Sequence, residues 1–206
     1  MHSMGVVTHF ARNEARKDTS GVARHWWTTA LEDSAARESI AALKHHPAVI
    51  SAIRQRWPQR KVFSVEDGDE VYYAVSPSGA KGGDRVLGDC HFDAPFGWLP
   101  DIGAAYVQVI LSCTRHGSVE TTIEGTSVHM SFGDFHGIDS NADFHCADGS
   151  IAPHEDRVLL KLHYIVADDG ANEDSIPFQL SRALLVGWTK VSREMMRAST
   201  NPKTPW

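Results

Sequence analysis

His91 and Asp93 stand two residues apart in the run Gly88-Asp89-Cys90-His91-Phe92-Asp93-Ala94-Pro95. On an extended chain that spacing sends both side chains to one face, where an imidazole and a carboxylate can converge on one ion. A second imidazole, His145, follows fifty-two positions later in Asn141-Ala142-Asp143-Phe144-His145, and Arg157 comes twelve positions after it. Two imidazoles and one carboxylate are the donor set of a facial site for non-heme Fe(II), which leaves three coordination positions open. A guanidinium adds a planar fork matched to a carboxylate. HxD followed by a distant H supplies the donors of a metal centre, and Arg157 is a candidate cation for an anion.

Elements must then hold these groups together. From residue 19 to 57 apolar residues recur at helical spacing. Thr19 or Ser20 can cap a helix running to Leu31 with Trp26 and Trp27, and Asp33 or Ser34 can cap a second with Ile40 and Leu43. Pro47 closes that helix and opens a third, residues 48–57, which Pro58 ends. The tryptophans can pack on the outside of a sheet or wall a substrate pocket. Met1-His2-Ser3-Met4 is set aside as a possible cloning remnant.

After Pro58 the pattern turns to short extended runs broken by turn chemistry. Residues 61–65 and 70–75 flank 66–69 as a hairpin, and the glycine-rich stretch 77–84 reads as a loop or lid ahead of the ligand strand. Further runs fall at 104–112, 118–123, 126–132, 135–139 and 157–166. In the last, Val158, Leu160, Leu162, Tyr164 and Val166 share one face, with Arg157, Lys161 and His163 on the other. In 104–112, Ala105, Val107, Val109 and Leu111 oppose Tyr106, Gln108 and Ser112. One face for covering helices and one looking into a cavity gives this alternation, and so does a sheet with one face in water. Residues 179–197 return to helical spacing, as a covering or dimer-forming helix.

The motif has rivals. His-Phe-Asp ahead of Ala-Pro also suits an Asx-type turn. His136, His154 and His163 compete with His145 as the distal ligand, and spacing by itself leaves that choice open. His116 and His129 read as surface or strand residues. Cys90, Cys113 and Cys146 are odd in number and far apart, which predicts reduced thiols rather than a disulfide framework.

The chain has 206 residues, 42% of them hydrophobic, which suits a single domain spanning 1–206 with a full core. A net charge of −6 argues against a nucleic-acid surface and for a small-molecule substrate. With neither a long apolar run nor a signal-like N-terminus, no membrane partner and a cytoplasmic setting are expected. A homo-oligomer through the C-terminal helix is possible.

Taken together, HxD, the closing run Ser131-Phe132-Gly133-Asp134-Phe135 through His145, and Arg157-Val158-Leu159-Leu160-Lys161-Leu162-His163 resemble the Fe(II)- and 2-oxoglutarate-dependent oxygenase superfamily, over roughly residues 71–166. The resemblance implies a mainly β fold, a double-stranded β-helix (jelly-roll or cupin-like barrel) over about 61–166, with N- and C-terminal helices packed outside. It implies His91, Asp93 and His145 as ligands of Fe(II), and Arg157 on the distal carboxylate of 2-oxoglutarate. The implied reaction consumes O2, releases succinate and CO2, and oxidises a C–H bond of a small organic or amino-acid-like substrate, by hydroxylation in the default case. Many relatives place Ser or Thr two residues after the arginine, and here that position is Leu159. Lys161 can share or replace the role of Arg157, and Tyr106 and Gln108 are candidates for the missing hydrogen bond. Phe96 and Trp98 are candidates for the pocket wall. Two other readings stay open: a cupin-like metalloenzyme acting without an oxo acid, and a metal-free jelly-roll binding module.

Overall fold

Alternation along β8 decides how this chain is layered. In the computed structural model, which describes residues 1–17, 23–75, 90–93, 104–114, 120–148, 151 and 155–200, β8 (Asp156–Asp168) lies at the centre of a five-stranded sheet. The strand order is β1-β2-β8-β3-β6, all pairs antiparallel, with β1 Ala23–Trp27, β2 Arg60–Val75, β3 Ala104–Ser112 and β6 Phe135–Asp139. Val158, Leu160, Leu162, Tyr164 and Val166 bury one face against the helices, joined by Val107, Val109 and Leu111. The opposite face looks toward a smaller sheet, β5-β4-β7 (Thr126–Val128, Glu120–Ile123, His145–Asp148). Tyr72, Ala74, Ile110 and Leu159 meet Ile123, Met130, Ile138 and Ile151 between the two sheets. This is the double-stranded β-helix with flanking helices, and its cavity-facing reading of the polar residues holds.

The three N-terminal helices cover the outer face of the larger sheet. α1 (His2–Lys17) buries Met4, Val7, Phe10, Ala11 and Ala15, a one-sided stripe. It is tied down where Thr8 donates to the Cys113 carbonyl at 2.9 Å. Asp33 caps α2 (Ser34–Lys44) by accepting from the Ala36 amide, and Pro47 occupies the first turn of α3 (Pro47–Arg56). α4 (Ile176–Thr200) packs Phe178 and Leu185 onto Phe63, Tyr106 and Ile165 at the other end of the barrel. Among the described residues no helix is long and apolar enough to cross a membrane.

Three expectations need correction. The first helix is α1, which includes the set-aside N-terminal residues, and Trp26 and Trp27 stand on edge strand β1 instead of a helix. Strand alternation there sends Trp26 to Phe10, ring centroids 5.8 Å apart, and His25 inward to Glu70. Pairing with β2 outweighs a weak helical period. Residues 61–65 and 70–75 do not form a hairpin, because β2 is one strand paired throughout with β8, and residues 66–69 bulge opposite Leu162. The third concerns the cysteines and is described with the site. The cap candidates Thr19 and Ser20, the loop 77–84, Phe96, Trp98, His116 and His154 lie outside the described residues.

A buried ion pair fills that bulge. Lys44, 1% exposed, donates to Asp69 at 2.7 Å and to the carbonyls of Val65 and His163, and Asp69 accepts the His163 amide at 2.7 Å in place of a strand carbonyl. Gly68 lets the bulge sit close to the His163 ring, since an added Cβ would lie 3.3 Å from it, a tight contact that the ring would have to yield to. Burial pulls the Lys44 ammonium below its usual range against the attraction of Asp69. Lys44→Met strands a buried carboxylate, and urea denaturation is expected to show a loss of about 3 kcal/mol. A loss below about 0.5 kcal/mol would place the pair among surface bridges instead.

Candidate metal centre

His91 and His145 face each other across a two-stranded bridge, each amide donating to the other's carbonyl at 2.9 and 3.0 Å. The short segment carrying His91 and Asp93 thus extends the smaller sheet beyond β7. Both imidazoles and Asp93 point to the same side. His91 Nε2 lies 3.3 Å from Asp93 Oδ1 and His145 Nε2 lies 3.4 Å from Asp93 Oδ2. One ligand atom from each residue fits within 4.8 Å of the others, a separation that could hold one metal ion. Among the described residues, the rival histidines His136 and His163 stand outside this cluster.

The surroundings prepare the donors. Burial opposes ionisation of Asp93, yet the two imidazoles and the Lys161 charge outweigh it and hold the carboxyl well below its usual range. Apart from the His145 ring at 3.4 Å, the buried Asp93 Oδ2 has no hydrogen-bond partner among the described residues, a deficit that a cation would make good. His145 Nδ1 lies 3.0 Å from the Asp143 carbonyl. A carbonyl only accepts, so Nδ1 carries the proton and Nε2 offers a lone pair. From the far side, Trp188 on α4 donates to the Asp93 carbonyl at 2.6 Å. The covering helix therefore also holds the ligand strand.

Residues between the ligands face outward. Phe92 and Phe144 meet with ring centroids 5.1 Å apart. Beside them, Cys90 and Cys146 are joined in a disulfide, with Cα atoms 4.2 Å apart, so only Cys113 is a free thiol among the described residues. The expectation of three reduced thiols fails because spacing in sequence is blind to register: pairing His91 with His145 puts their neighbours opposite each other. Cys113 is buried, which pushes its thiol up to about 12.

Arg157 projects into the space between the sheets, 2% exposed. Its Nη2 donates to Thr121 Oγ1 at 3.4 Å, and among the described residues no carboxylate pairs with it. Burial pushes the guanidinium down to about 10, with the nearby Tyr72 phenol pulling the other way. A buried guanidinium with no carboxylate partner among the described residues has the chemistry to take an anion. Thr121, reaching across from β4, offers Arg157 a hydroxyl that Leu159 does not. No pattern in the sequence pairs residues across the two sheets, so Thr121 was not legible, whereas alternation with Glu70 and Ala74 marks Tyr72 as inward-facing.

Tyr106 and Gln108 are not brought to Arg157. β3 runs antiparallel to β8, so Tyr106 pairs with Ile165 and Gln108 with His163, whereas Ser112, at the end of β3, pairs with Leu159. Tyr106 packs beneath α4, and Gln108 bonds His163 at 3.1 Å. Lys161 lies 3.4 Å from Glu70, and Glu70 in turn bonds His25 at 2.9 Å. Lys161 also lies 6.0 Å from the centre of the Tyr72 ring, and its charge acts on Asp93.

No protein-family model matches the chain, and no curated protein sequence matches it. Solved structures do share the fold. The non-heme α-ketoglutarate dependent epimerase SnoN from nogalamycin biosynthesis superposes with a TM-score of 0.56 at 13% identity, covering 85% of this chain and 80% of that chain. HygX from Streptomyces hygroscopicus, with nickel, 2-oxoglutarate and hygromycin B bound, gives 0.50 at 11% identity, covering 82% and 80%. The nickel complex of the non-heme monooxygenase ThoJ gives 0.50 at 12% identity, covering 97% and 92%. The chain thus has the double-stranded β-helix fold seen in 2-oxoglutarate-dependent oxygenases.

Proposed function

We propose that this chain is an Fe(II)- and 2-oxoglutarate-dependent oxygenase that oxidises a C–H bond of a small organic molecule, by hydroxylation in the default case, as a single domain. The observation that carries the reading is a cluster of three metal-competent donors in one barrel with a buried guanidinium that has no carboxylate partner among the described residues. In this reading His91, Asp93 and His145 hold the metal, and Arg157 with Thr121 holds the far carboxylate of the cosubstrate. Bound iron and 2-oxoglutarate supply oxidative decarboxylation coupled to activation of O2.

The rest of the chemistry belongs to the chain. Asp93 stays ionised and lowers the net charge of a bound divalent cation, and Asp143 keeps His145 in one tautomer. Leu159, Ile110 and Ile123 wall the interior, so a carboxylate at Arg157 meets its fork in a setting poor in water. Lys161, Glu70, His25 and Tyr72 form a linked polar group on the inner face of the larger sheet that a substrate could meet. The nogalamycin named for SnoN and the hygromycin B named for HygX support a small-molecule substrate as the class.

The test is succinate release from 2-oxoglutarate by purified protein given Fe(II) and O2. Turnover that requires all three, and that stops under anaerobic conditions, is the expected result. Metal binding without any consumption of 2-oxoglutarate, across a panel of small substrates, would overturn the reading in favour of a cupin-like metalloenzyme.

A further inference from the structure

We propose that Arg56, in the last turn of α3 and outside the barrel, is a positioning residue for the metal centre. Through Asp143 it fixes the turn whose carbonyl keeps His145 in its metal-binding tautomer. This rests on the assignment of His145 as a ligand made above.

Every link is a direct contact. Arg56 Nη2 donates to Asp143 Oδ1 at 2.7 Å, and Nη1 donates to the Gly137 carbonyl at 3.0 Å, so one guanidinium ties β6 to the turn that follows it. The second carboxylate oxygen of Asp143 accepts the Asp139 amide at 2.6 Å, while the Asp143 amide donates to the Asp139 carbonyl at 2.8 Å. Residues 139–143 are closed from both sides. The Asp143 carbonyl is then held 3.0 Å from His145 Nδ1.

Asp143 is only 6% exposed, so its carboxylate depends on protein partners for the solvation it has lost. Without Arg56 the turn must open to hydrate that charge, and the carbonyl moves with it. His145 would then be free to rotate and to exchange tautomers, at a cost to any ion on Nε2. Arg56 is itself restrained, lying 4.7 Å above the Trp57 ring. Val49 and Ile53 anchor α3 in the helix-side core, so the orientation of an interior ligand is set from the opposite side of the sheet.

The experiment measures Co(II) and Mn(II) affinity by calorimetry without 2-oxoglutarate, the visible bands of the Co(II) protein, and the thermal midpoint of the metal-free protein. Arg56→Gln is expected to weaken Co(II) binding about 10- to 100-fold and to alter its bands, with Arg56→Lys recovering most of the affinity. Affinity and bands of Arg56→Gln equal to those of the unaltered protein overturn the proposal. Where Arg56→Gln melts within the assay range, Asp143→Asn keeps the carbonyl and removes the charge that Arg56 grips. Weaker Co(II) binding by Asp143→Asn supports the role, and unchanged binding overturns it. An unaltered chain that binds neither Co(II) nor Mn(II) removes the metal centre and the proposed function together, whereas normal binding with indifferent variants removes only the part given to Arg56.

Discussion

Asp93→Ala is expected to abolish turnover and to weaken divalent-metal binding by about a thousandfold or more, with the barrel still folded. Asp93 is the one carboxylate in the cluster and the only member whose two oxygens approach both imidazoles. Without it, two neutral rings face a divalent cation with no compensating charge. The fold survives because Asp93 Oδ2 has no hydrogen-bond partner among the described residues apart from the His145 ring, and because the Trp188 bond goes to the backbone carbonyl, which alanine retains. Circular dichroism and calorimetry with Mn(II) separate the two effects. A variant that retains metal affinity within tenfold, or that turns over 2-oxoglutarate, removes Asp93 from the centre.

Arg157→Met is expected to move two measurements in opposite directions. Binding of 2-oxoglutarate should weaken by about a hundredfold or more, because a buried charged hydrogen-bonding partner is lost, while metal affinity stays near its original value. Stability of the ligand-free protein should rise, on the order of 1 kcal/mol, because a desolvated cation without a carboxylate partner gives way to an apolar chain of similar length. The depressed basicity of Arg157 reports the same desolvation. KM for 2-oxoglutarate and the urea midpoint of the ligand-free protein are the two readings. A destabilised variant with unchanged KM would make Arg157 an ordinary core residue and leave Lys161 as the cosubstrate's anchor.

What the sequence made legible follows period and spacing. The two-residue step from His91 to Asp93 and the alternation in β3 and β8 carry their own geometry, so that pair and the two-faced sheet could be read directly, whereas His145 and the inward sense of the polar face came through the resemblance. Residues 104–112 and 135–139 match β3 and β6, because turn chemistry bounds both runs. Contacts set by register across distant strands left no local trace. The Cys90 to Cys146 link, the Arg157 to Thr121 contact and the misplacement of Tyr106 all depend on which residue of one strand meets which of another. The bulge in β2 was read as a hairpin because Glu66-Asp67-Gly68-Asp69 has turn composition, and the buried partner that makes it a bulge, Lys44, comes from a helix more than twenty residues earlier.

The covalent tie between Cys90 and Cys146 changes what an emptied centre is. In proteins whose donors gather only around their ion, chelation and unfolding are one event. Here the two backbone segments that carry all three donors are stapled one residue away from His91 and His145. If His91, Asp93 and His145 hold an ion, its removal is expected to leave them assembled, so that the oxidised protein can be emptied and refilled as a folded receptacle.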